Sequence, residues 1–520
     1  MKSSMKTAAT ALVAWGGCAF AADVITSWND VFMDTIRAWG GPPCPISRSG
    51  PIMNVAMFDA CNSVQQMIDI TRSYSPYMTD LPAPVGPTSQ EAATAAAAYR
   101  VLTQLHGTGN GSSALNVTLQ VGYDLKLAAD LAGIPDDIGQ RANGVAYGTL
   151  VADRLIAMRE NDGLDDNTPY TLGGTCGDWR QTPDGPDVAA FSPNWGRSLP
   201  WGVKSGSQFR PTRLMDIGGG VMGGLMHSPE YAEQINGSAS VLGVKHYGER
   251  NSVARTADQT EIAWFWANDR DGTSKPPGQL YQLTKSVVEN IPSRTLIDNA
   301  RVYALISIAM GDSCVVAWDS KYLTPIDLWR PIDAVRETQD DGNPATTPDP
   351  AWLPLNDFSP PFPAYVSGHG TFGASHGKVM SLIFGDNTTF TLGSDEFGVH
   401  PGLGYPADHT RTFHSFSEAA WENALSRIYL GVHYYWDAVD ANILGSQVGQ
   451  YDFNHYLRPY GTPIPCPADF NEDGGIDGND IESFFAAWER GTRSADVNEN
   501  GGVDGTDVED FFIAWANGGC

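Results

Sequence analysis

Residues 426–437 read SRIYLGVHYYWD and place a cation (Arg427), an imidazole (His433) and a carboxylate (Asp437) in an otherwise largely apolar stretch. His433 and Asp437 are four residues apart, on one face if the segment is helical. The carboxylate can then take the imidazole proton that a bound metal would not use and so fix the tautomer. Arg427 and His433 are six apart, a poor match to one helical face, and Gly431 between them offers a break.

Two upstream fragments carry the same kind of group. Residues 321–331 (KYLTPIDLWRP) hold Lys321 and Arg330, and residues 360–369 (PPFPAYVSGH) hold Ser367, Gly368 and His369. One Lys, two Arg, a hydroxyl, a Gly amide and two His stand out in a chain with 60 acidic and 32 basic residues. They suit a compact oxyanion with several acceptor oxygens. One His can move a proton while the other binds the central atom. Nine steps from Lys321 to Arg330 turn a helix by roughly 900°, so an interruption near Pro325 is needed to aim both side chains inward. Without one, Lys321 is a surface lysine.

The bulk composition frames this site. The 520 residues have room for two to four domains and a large core. The net charge of −28 argues against a nucleic-acid partner. No run of 18 or more apolar residues follows the N-terminus, so no spanning segment is expected. Residues 1–21 read as an export signal: Lys2 and Lys6, then an apolar run over 8–20, then Ala19-Phe20-Ala21 as a small-residue cleavage site. A secreted, periplasmic or cell-surface location follows from that reading. Removing the signal removes Cys18 and leaves Cys44, Cys61, Cys176, Cys314, Cys466 and Cys520. An even count outside the cytosol permits disulfides, and Cys466 with Cys520 brackets the last segment.

Most of the chain reads as helix. Residues 51–64, 258–266, 296–318 and 434–457 have helical spacing of apolar positions. Thr88 and Glu91 form a capping-box pattern before the Ala-rich run 92–105, and Ser415 with Glu418 forms another before a helix through Arg427. Residues 160–235, rich in Gly, Pro, Asp and Trp, read as long loops. Strand patterns are scarce, so the fold class is mostly α: a helical body over residues 22–460, a Pro-rich linker over 459–467 and a small domain over 466–520.

The last domain is an internal repeat. Residues 468–488 match residues 495–515 at a period of 27, each copy an acidic loop followed by a short aromatic helix. Oxygen ligands fall at loop positions 1, 3, 5, 9 and 12. They are Asp469, Asn471, Asp473, Asp477 and Asp480 in the first copy, and Asp496, Asn498, Asn500, Asp504 and Asp507 in the second. With Gly at positions 6 and 7 of the loop, this spacing suits calcium. Between Cys466 and Cys520 there are 13 acidic residues against 2 basic ones, which also favours a cation. The repeat resembles the duplicated EF-hand-like loop-helix of type I dockerins, a resemblance that leaves room for a protein partner.

The three central fragments resemble the vanadium-dependent haloperoxidases, whose superfamily includes type 2 phosphatidic acid phosphatases and bacterial acid phosphatases. The family pattern is K-x6-RP, PSGH and SR-x5-H-x3-D. The third fragment fits fully through Ser426, Arg427, His433 and Asp437; the second has Val366 in place of Pro; the first has eight residues between Lys321 and Arg330. The resemblance implies a helical bundle. It also implies vanadate held by Lys321, Arg330, Ser367, Gly368, Arg427 and His433, with His433 on the metal, Asp437 behind it and His369 as general acid-base. Trp318 and Phe362 resemble the aromatic wall of a halide pocket, and the run PPFPAYVSGHGTFG looks like the chloroperoxidase branch. The implied substrates are hydrogen peroxide, a halide and a small organic acceptor. The same cradle suits a secreted acid phosphatase with a phosphohistidine at His433. From another class, a non-catalytic scaffold or adhesion protein anchored by the repeat is the remaining alternative.

Overall fold

The computed structural model describes residues 23–136, 138–164, 166–185, 189–291, 293–462, 466–471, 475–489, 495, 497 and 503–517. The export-signal reading and the ligands Asp473, Asp496, Asn498 and Asn500 therefore lie outside the described residues.

The body is helical. Its first half contains α1 (Val24–Trp39), α2 (Pro43–Asp69), α3 (Gln90–Leu105), α4 (Ala114–Ala132) and α5 (Gln140–Met158). Four short helices follow: α6 (Arg213–Gly218), α7 (Met222–Met226), α8 (Pro229–Asn236) and α9 (Val244–Tyr247). The second half has α10 (Ala257–Phe265), α11 (Lys275–Val288), α12 (Leu296–Tyr322), α13 (Pro331–Arg336), α14 (Gly368–Phe384), α15 (Asp395–Val399), α16 (Phe416–Tyr429) and α17 (Tyr435–His455). Among the described residues one small antiparallel sheet pairs β1 (Phe390–Gly393) with β2 (Thr410–Phe413). The tail carries α18 (Gly478–Glu489) and α19 (Gly505–Ala516).

Most expected helices are present, with two corrections. The cap of α3 is Ser89, not Thr88: the Ser89 hydroxyl accepts from the Ala92 amide at 3.1 Å, because the helix starts one residue later than expected. The 160–235 stretch is not all loop; α6, α7 and most of α8 fall within its second half. Elsewhere Ser415 caps α16 as expected, and the Glu418 side chain accepts from the His414 amide at 2.6 Å. In the tail, α18 and α19 begin 27 residues apart, and Phe484 and Phe511 stack at 4.2 Å with 2° between their planes.

The helix that organises the body is α12. It is long and apolar enough to cross a membrane, yet 94% of its most apolar window is buried inside the protein, as befits a core helix. Its few charges fasten the long 160–212 region to it. Asp312 accepts from the amides of Trp201, Gly202 and Val203 at 2.6, 2.6 and 2.8 Å. One helical face further on, Asp319 accepts both arms of Arg210 at 2.6 and 2.8 Å. Gly202 is required here, because a Cβ would lie 2.1 Å from Asp452 Oδ1.

Asp452 of α17 and Asp312 are both fully buried. The Asp452 carboxyl meets no N–H or hydroxyl, and its interacting neighbour is Asp312. Burial, and then the Asp312 charge, push Asp452 well above the usual carboxylate range, while burial lifts Asp312 to about 6. The two acids therefore share a proton. Both folded-state values lie above the unfolded ones, so the native state binds more protons and stability falls as pH rises through about 6. Asp452→Asn keeps a donor for Asp312 and removes the second charge. Scanning calorimetry should show a higher melting temperature for this variant at pH 8, and a smaller gain at pH 5. A gain that does not grow with pH would rule out the shared proton.

Candidate oxyanion site

The Pro-rich loop 360–367 decides the geometry. Pro360, Pro361 and Pro363 have no amide N–H, so the loop pairs with itself only through the Phe362 amide and the Pro360 carbonyl, at 2.9 Å. The Phe191 amide takes the Pro361 carbonyl at 3.0 Å, and other carbonyls need side-chain donors. Two cations supply the donors. Lys321 Nζ, on the last turn of α12, donates to the carbonyls of Pro363, Ala364 and Val366 at 2.9, 3.1 and 2.5 Å. Arg330 Nε donates to the Phe362 carbonyl at 2.7 Å. Both cations also lie over the Phe362 ring, at 5.0 and 4.7 Å from its centre. Such contacts contribute roughly 0.5–2 kcal/mol each when desolvated.

The nine-residue separation of Lys321 and Arg330 is thereby explained. Helix α12 ends at Tyr322, a loop through Pro325 follows, and Arg330 is the N-cap residue just before α13. Lys321 has another role than the sequence implies. All three of its ammonium N–H groups go to backbone carbonyls, so it acts on an anion as a nearby charge rather than as a direct donor.

The other groups converge on the same place. Ser367 caps α14, its hydroxyl oxygen accepting from the Gly370 amide at 3.3 Å. Gly368 and His369 open that helix ahead of its first backbone bond, from the Thr371 amide to the Ser367 carbonyl, so their amides belong to the anion-binding end. After α16, Gly431 takes φ +79° and turns the chain, which brings His433 beside Arg427 despite the six-residue spacing. His433 lies just before α17, not within it. It still donates from Nδ1 to Asp437 Oδ2 at 2.9 Å, and the same oxygen caps the helix by accepting from the Tyr434 amide at 3.1 Å. Arg330 NH1 points its N–H at His433 Nε2, 3.2 Å away, so Nε2 carries the lone pair. His369 has the opposite tautomer, because its Nε2 faces the Ala267 carbonyl at 3.1 Å and must donate. Its Nδ1 is left as a base.

Burial dominates the electrostatics. It drives Lys321 and His433 well below their ordinary values, with Arg330 adding to both, and takes Arg330 down to about 10. Burial and then Arg427 lower His369 to about 3, and burial raises Asp437 to about 7. Three side-chain nitrogens have no partner at all: Arg330 NH2, Arg427 Nε and Arg427 NH1. Fully buried guanidinium N–H groups are costly to leave unmatched. An oxyanion between the two arginines, the first-turn amides of α14 and His433 Nε2 matches them. The adjoining cavity is about 80 Å³, room for several waters or one small ion, and is lined by His369, Arg427, His433, Trp318 and Phe362. The Trp318 and Phe362 rings pack 5.2 Å apart in its wall.

Two groups here were not read from the sequence. Asp269 accepts from Arg427 NH2 at 2.8 Å and lies 4.0 Å from His369 Nε2. Burial opposes its charge, but Arg427 holds its carboxyl below the usual range. Lys275 lines the cavity, with Nζ donating to the Asp269 carbonyl at 2.7 Å and to Asp271 at 3.3 Å. Asp269 lies in the turn before α11 and Lys275 is that helix's first residue, where no spacing marks them; the only signal is the charge-rich run 269–275 between two apolar helices.

Fold and site together define a helical-bundle protein with a buried cationic cradle for a small oxyanion. Residues 301–461 match the family model of the VCPO second helical-bundle domain. The chain is 27% identical to the vanadium chloroperoxidase of Curvularia inaequalis, over 80% of this chain and 79% of that protein. Its fold is similar to that of the first bacterial vanadium-dependent iodoperoxidase, with TM-score 0.66 and 22% identity, covering 84% of this chain and 97% of that one. It is also similar to the holo form of a bacterial vanadium-dependent chloroperoxidase, with TM-score 0.56 and 15% identity, covering 81% and 92%. The chain is thus similar to vanadium haloperoxidases in sequence and in fold, and the likeness supports an enzyme of the haloperoxidase class.

Lys321→Met tests the role assigned to the lysine. It strands three buried carbonyls, so the loop 360–367 should loosen and denaturant unfolding should show a loss of roughly 3 kcal/mol or more. A variant as stable as the parent would return Lys321 to the role of a direct anion ligand.

Proposed function

We propose that this protein is a secreted vanadium haloperoxidase that uses hydrogen peroxide to oxidise a halide, H2O2 + X⁻ + H⁺ → HOX + H2O, and that a small organic acceptor consumes the product. The observation that carries the reading is the set of unpaired Arg330 and Arg427 nitrogens around His433 Nε2, beside the Trp318–Phe362 wall. Vanadate, when bound, supplies a Lewis-acid centre that activates peroxide without a change of oxidation state. His433 offers its Nε2 lone pair to that centre, and Asp437 fixes the tautomer that exposes it. Arg330, Arg427 and the amides of Gly368 and His369 stabilise the oxyanion's negative charge, and the Ser367 hydroxyl has a proton left to donate. His369 Nδ1, neutral at working pH, takes a proton from incoming peroxide. The apolar wall excludes water and leaves a weakly hydrated place for a halide.

The phosphatase alternative uses the same cradle with His433 as nucleophile. Activity on p-nitrophenyl phosphate separates the two readings. Orthovanadate added to metal-free protein should switch on peroxide-dependent halide oxidation, and inorganic phosphate should compete. If vanadate has no effect while p-nitrophenyl phosphate turns over fast, the phosphatase reading replaces this one. In folded variants, His433→Ala should lose vanadium by elemental analysis, whereas His369→Ala should retain it and lose turnover. Equal metal loss in both would reverse the two roles.

We also propose that the C-terminal repeat binds two calcium ions and serves attachment rather than catalysis. Support comes from two loops closed by their own carboxylates. Asp480 accepts from the amides of Asn471 and Asp477 at 3.0 and 2.8 Å, and Asp507 from that of Asp504 at 2.9 Å. Cys466 is disulfide-bonded, in line with an oxidising compartment; Cys520 lies outside the described residues. Calorimetric titration of the whole chain should give two calcium ions per molecule, and the same chain ending at residue 460 should give none while keeping halide oxidation. No heat from the whole chain would remove the loop assignment.

A further inference from the structure

A second and larger cavity lies behind the oxyanion pocket. It is a cleft of about 640 Å³, within the range of roughly 300–1,000 Å³ that holds small organic ligands. The two cavities share a wall. Phe191 and Pro43 line the oxyanion side, and their near neighbours Ser192 and Pro45 line the cleft. The wall is fixed from the catalytic side: the Phe191 carbonyl accepts from Trp318 Nε1 at 3.2 Å and from the Tyr322 hydroxyl at 3.1 Å. Tyr322 follows Lys321 and meets Tyr170, a residue of the cleft, edge-on at 5.0 Å. The cleft is therefore one ring contact from the residue that follows Lys321.

Its lining selects a chemistry. Tyr170, Trp179 and Trp195 give it aromatic surfaces, and Pro45, Pro169 and Pro193 give it rigid apolar ones. The indole N–H of Trp179 is buried and has no partner in the fold. Among its described lining residues there is no Lys, Arg or His. Among the described lining residues the one carboxylate is Asp166, held below the usual range by Thr168, which donates from its amide at 2.9 Å. An anionic organic molecule meets a like charge there, and the nearest cation, Arg197, is already within 3.9 Å of Asp166. A neutral, electron-rich ring finds aromatic surfaces to stack on.

We infer that this cleft is the acceptor site, and that it takes a neutral phenol or a similar electron-rich aromatic. The inference rests on the haloperoxidase reading for its reaction but not for its binding. The electrophile is the neutral HOX released by the cradle, and the reaction balances as ArH + HOX → ArX + H2O. The ring carbon gains the halogen, and its proton leaves with the hydroxyl of HOX as water.

The probe is thymol, a neutral phenol. Calorimetry and tryptophan fluorescence on vanadate-free protein should show saturable thymol binding, with at least tenfold weaker affinity for 4-hydroxybenzenesulfonate. Leu172 lines the cleft and is 48% exposed, so Leu172→Trp fills the space without touching the core. It should weaken thymol binding at least tenfold and raise the thymol KM in parallel, leaving triiodide formation from iodide and peroxide unchanged. Asp166→Asn should narrow the gap between the phenol and the sulfonate. Non-saturable thymol binding, or identical titrations for Leu172→Trp and the parent, would overturn the acceptor site and leave HOX to react in bulk solution. Saturable binding with no triiodide formed would uphold the cleft and sink the haloperoxidase reading instead.

Discussion

Three positive charges are held without water in the middle of a helical bundle, and the surrounding structure answers to that constraint. Lys321, Arg330 and Arg427 are each at most 1% exposed. At the effective dielectric of a protein, two unit charges 4 Å apart interact by about 4 kcal/mol, so like charges gathered here need compensation. Asp437 and Asp269 provide part of it, one behind His433 and the other beside Arg427. The carbonyls of the Pro-rich loop provide more. The remainder is the unmet demand of three guanidinium nitrogens, and a multiply charged anion satisfies it. The cradle is thus a site whose ligand completes its electrostatics, so binding and local stability are linked.

The same constraint explains why the wall is made of rings and prolines. A buried loop must hand its carbonyls to some donor, and prolines at 360, 361 and 363 remove the competing amides. Lys321 and Arg330 then become structural staples and electrostatic elements at once. Phe362 sits between these tasks: its carbonyl binds Arg330, its ring faces both cations, and its edge forms the pocket wall with Trp318. A substitution at Phe362 therefore acts on loop, charge and halide environment together.

Much of this was legible from the chain itself. Long helices such as α12 and α17 announce themselves by apolar spacing, and the cradle residues by the density of donors in three short fragments. What escaped had a physical reason. The Lys321–Arg330 spacing contradicts a single helix because the residues belong to two elements joined by a turn, and periodicity cannot see a turn that tertiary contacts fix. Asp269 and Lys275 flank a turn into α11 that is held by buried bonds, such as Asn268 to Gln279 at 2.6 Å, that no local pattern encodes. Ser89 displaced Thr88 as a cap because two adjacent hydroxyl residues compete for the same role, and the packing of α3 selects between them. The cleft was invisible for the same reason: the start of α2 at Pro45 and the segments around residues 170 and 195 meet only in the folded body.

The tail shows the opposite case, in which sequence alone reveals nearly everything that can be known locally. Its repeat is in register, so each copy supplies the same face, and Phe484 and Phe511 meet as symmetry-related partners of one small core. That core is separate from the one that buries α12, and no cradle residue belongs to it. A repeat of roughly 50 residues with so little apolar surface has a marginal core by itself. Its acidic side chains repel one another, as the buried cations of the body do. Tail and body thus gather charge of opposite sign around two separate cores, 13 acidic residues between Cys466 and Cys520 in the one and three buried cationic side chains in the other.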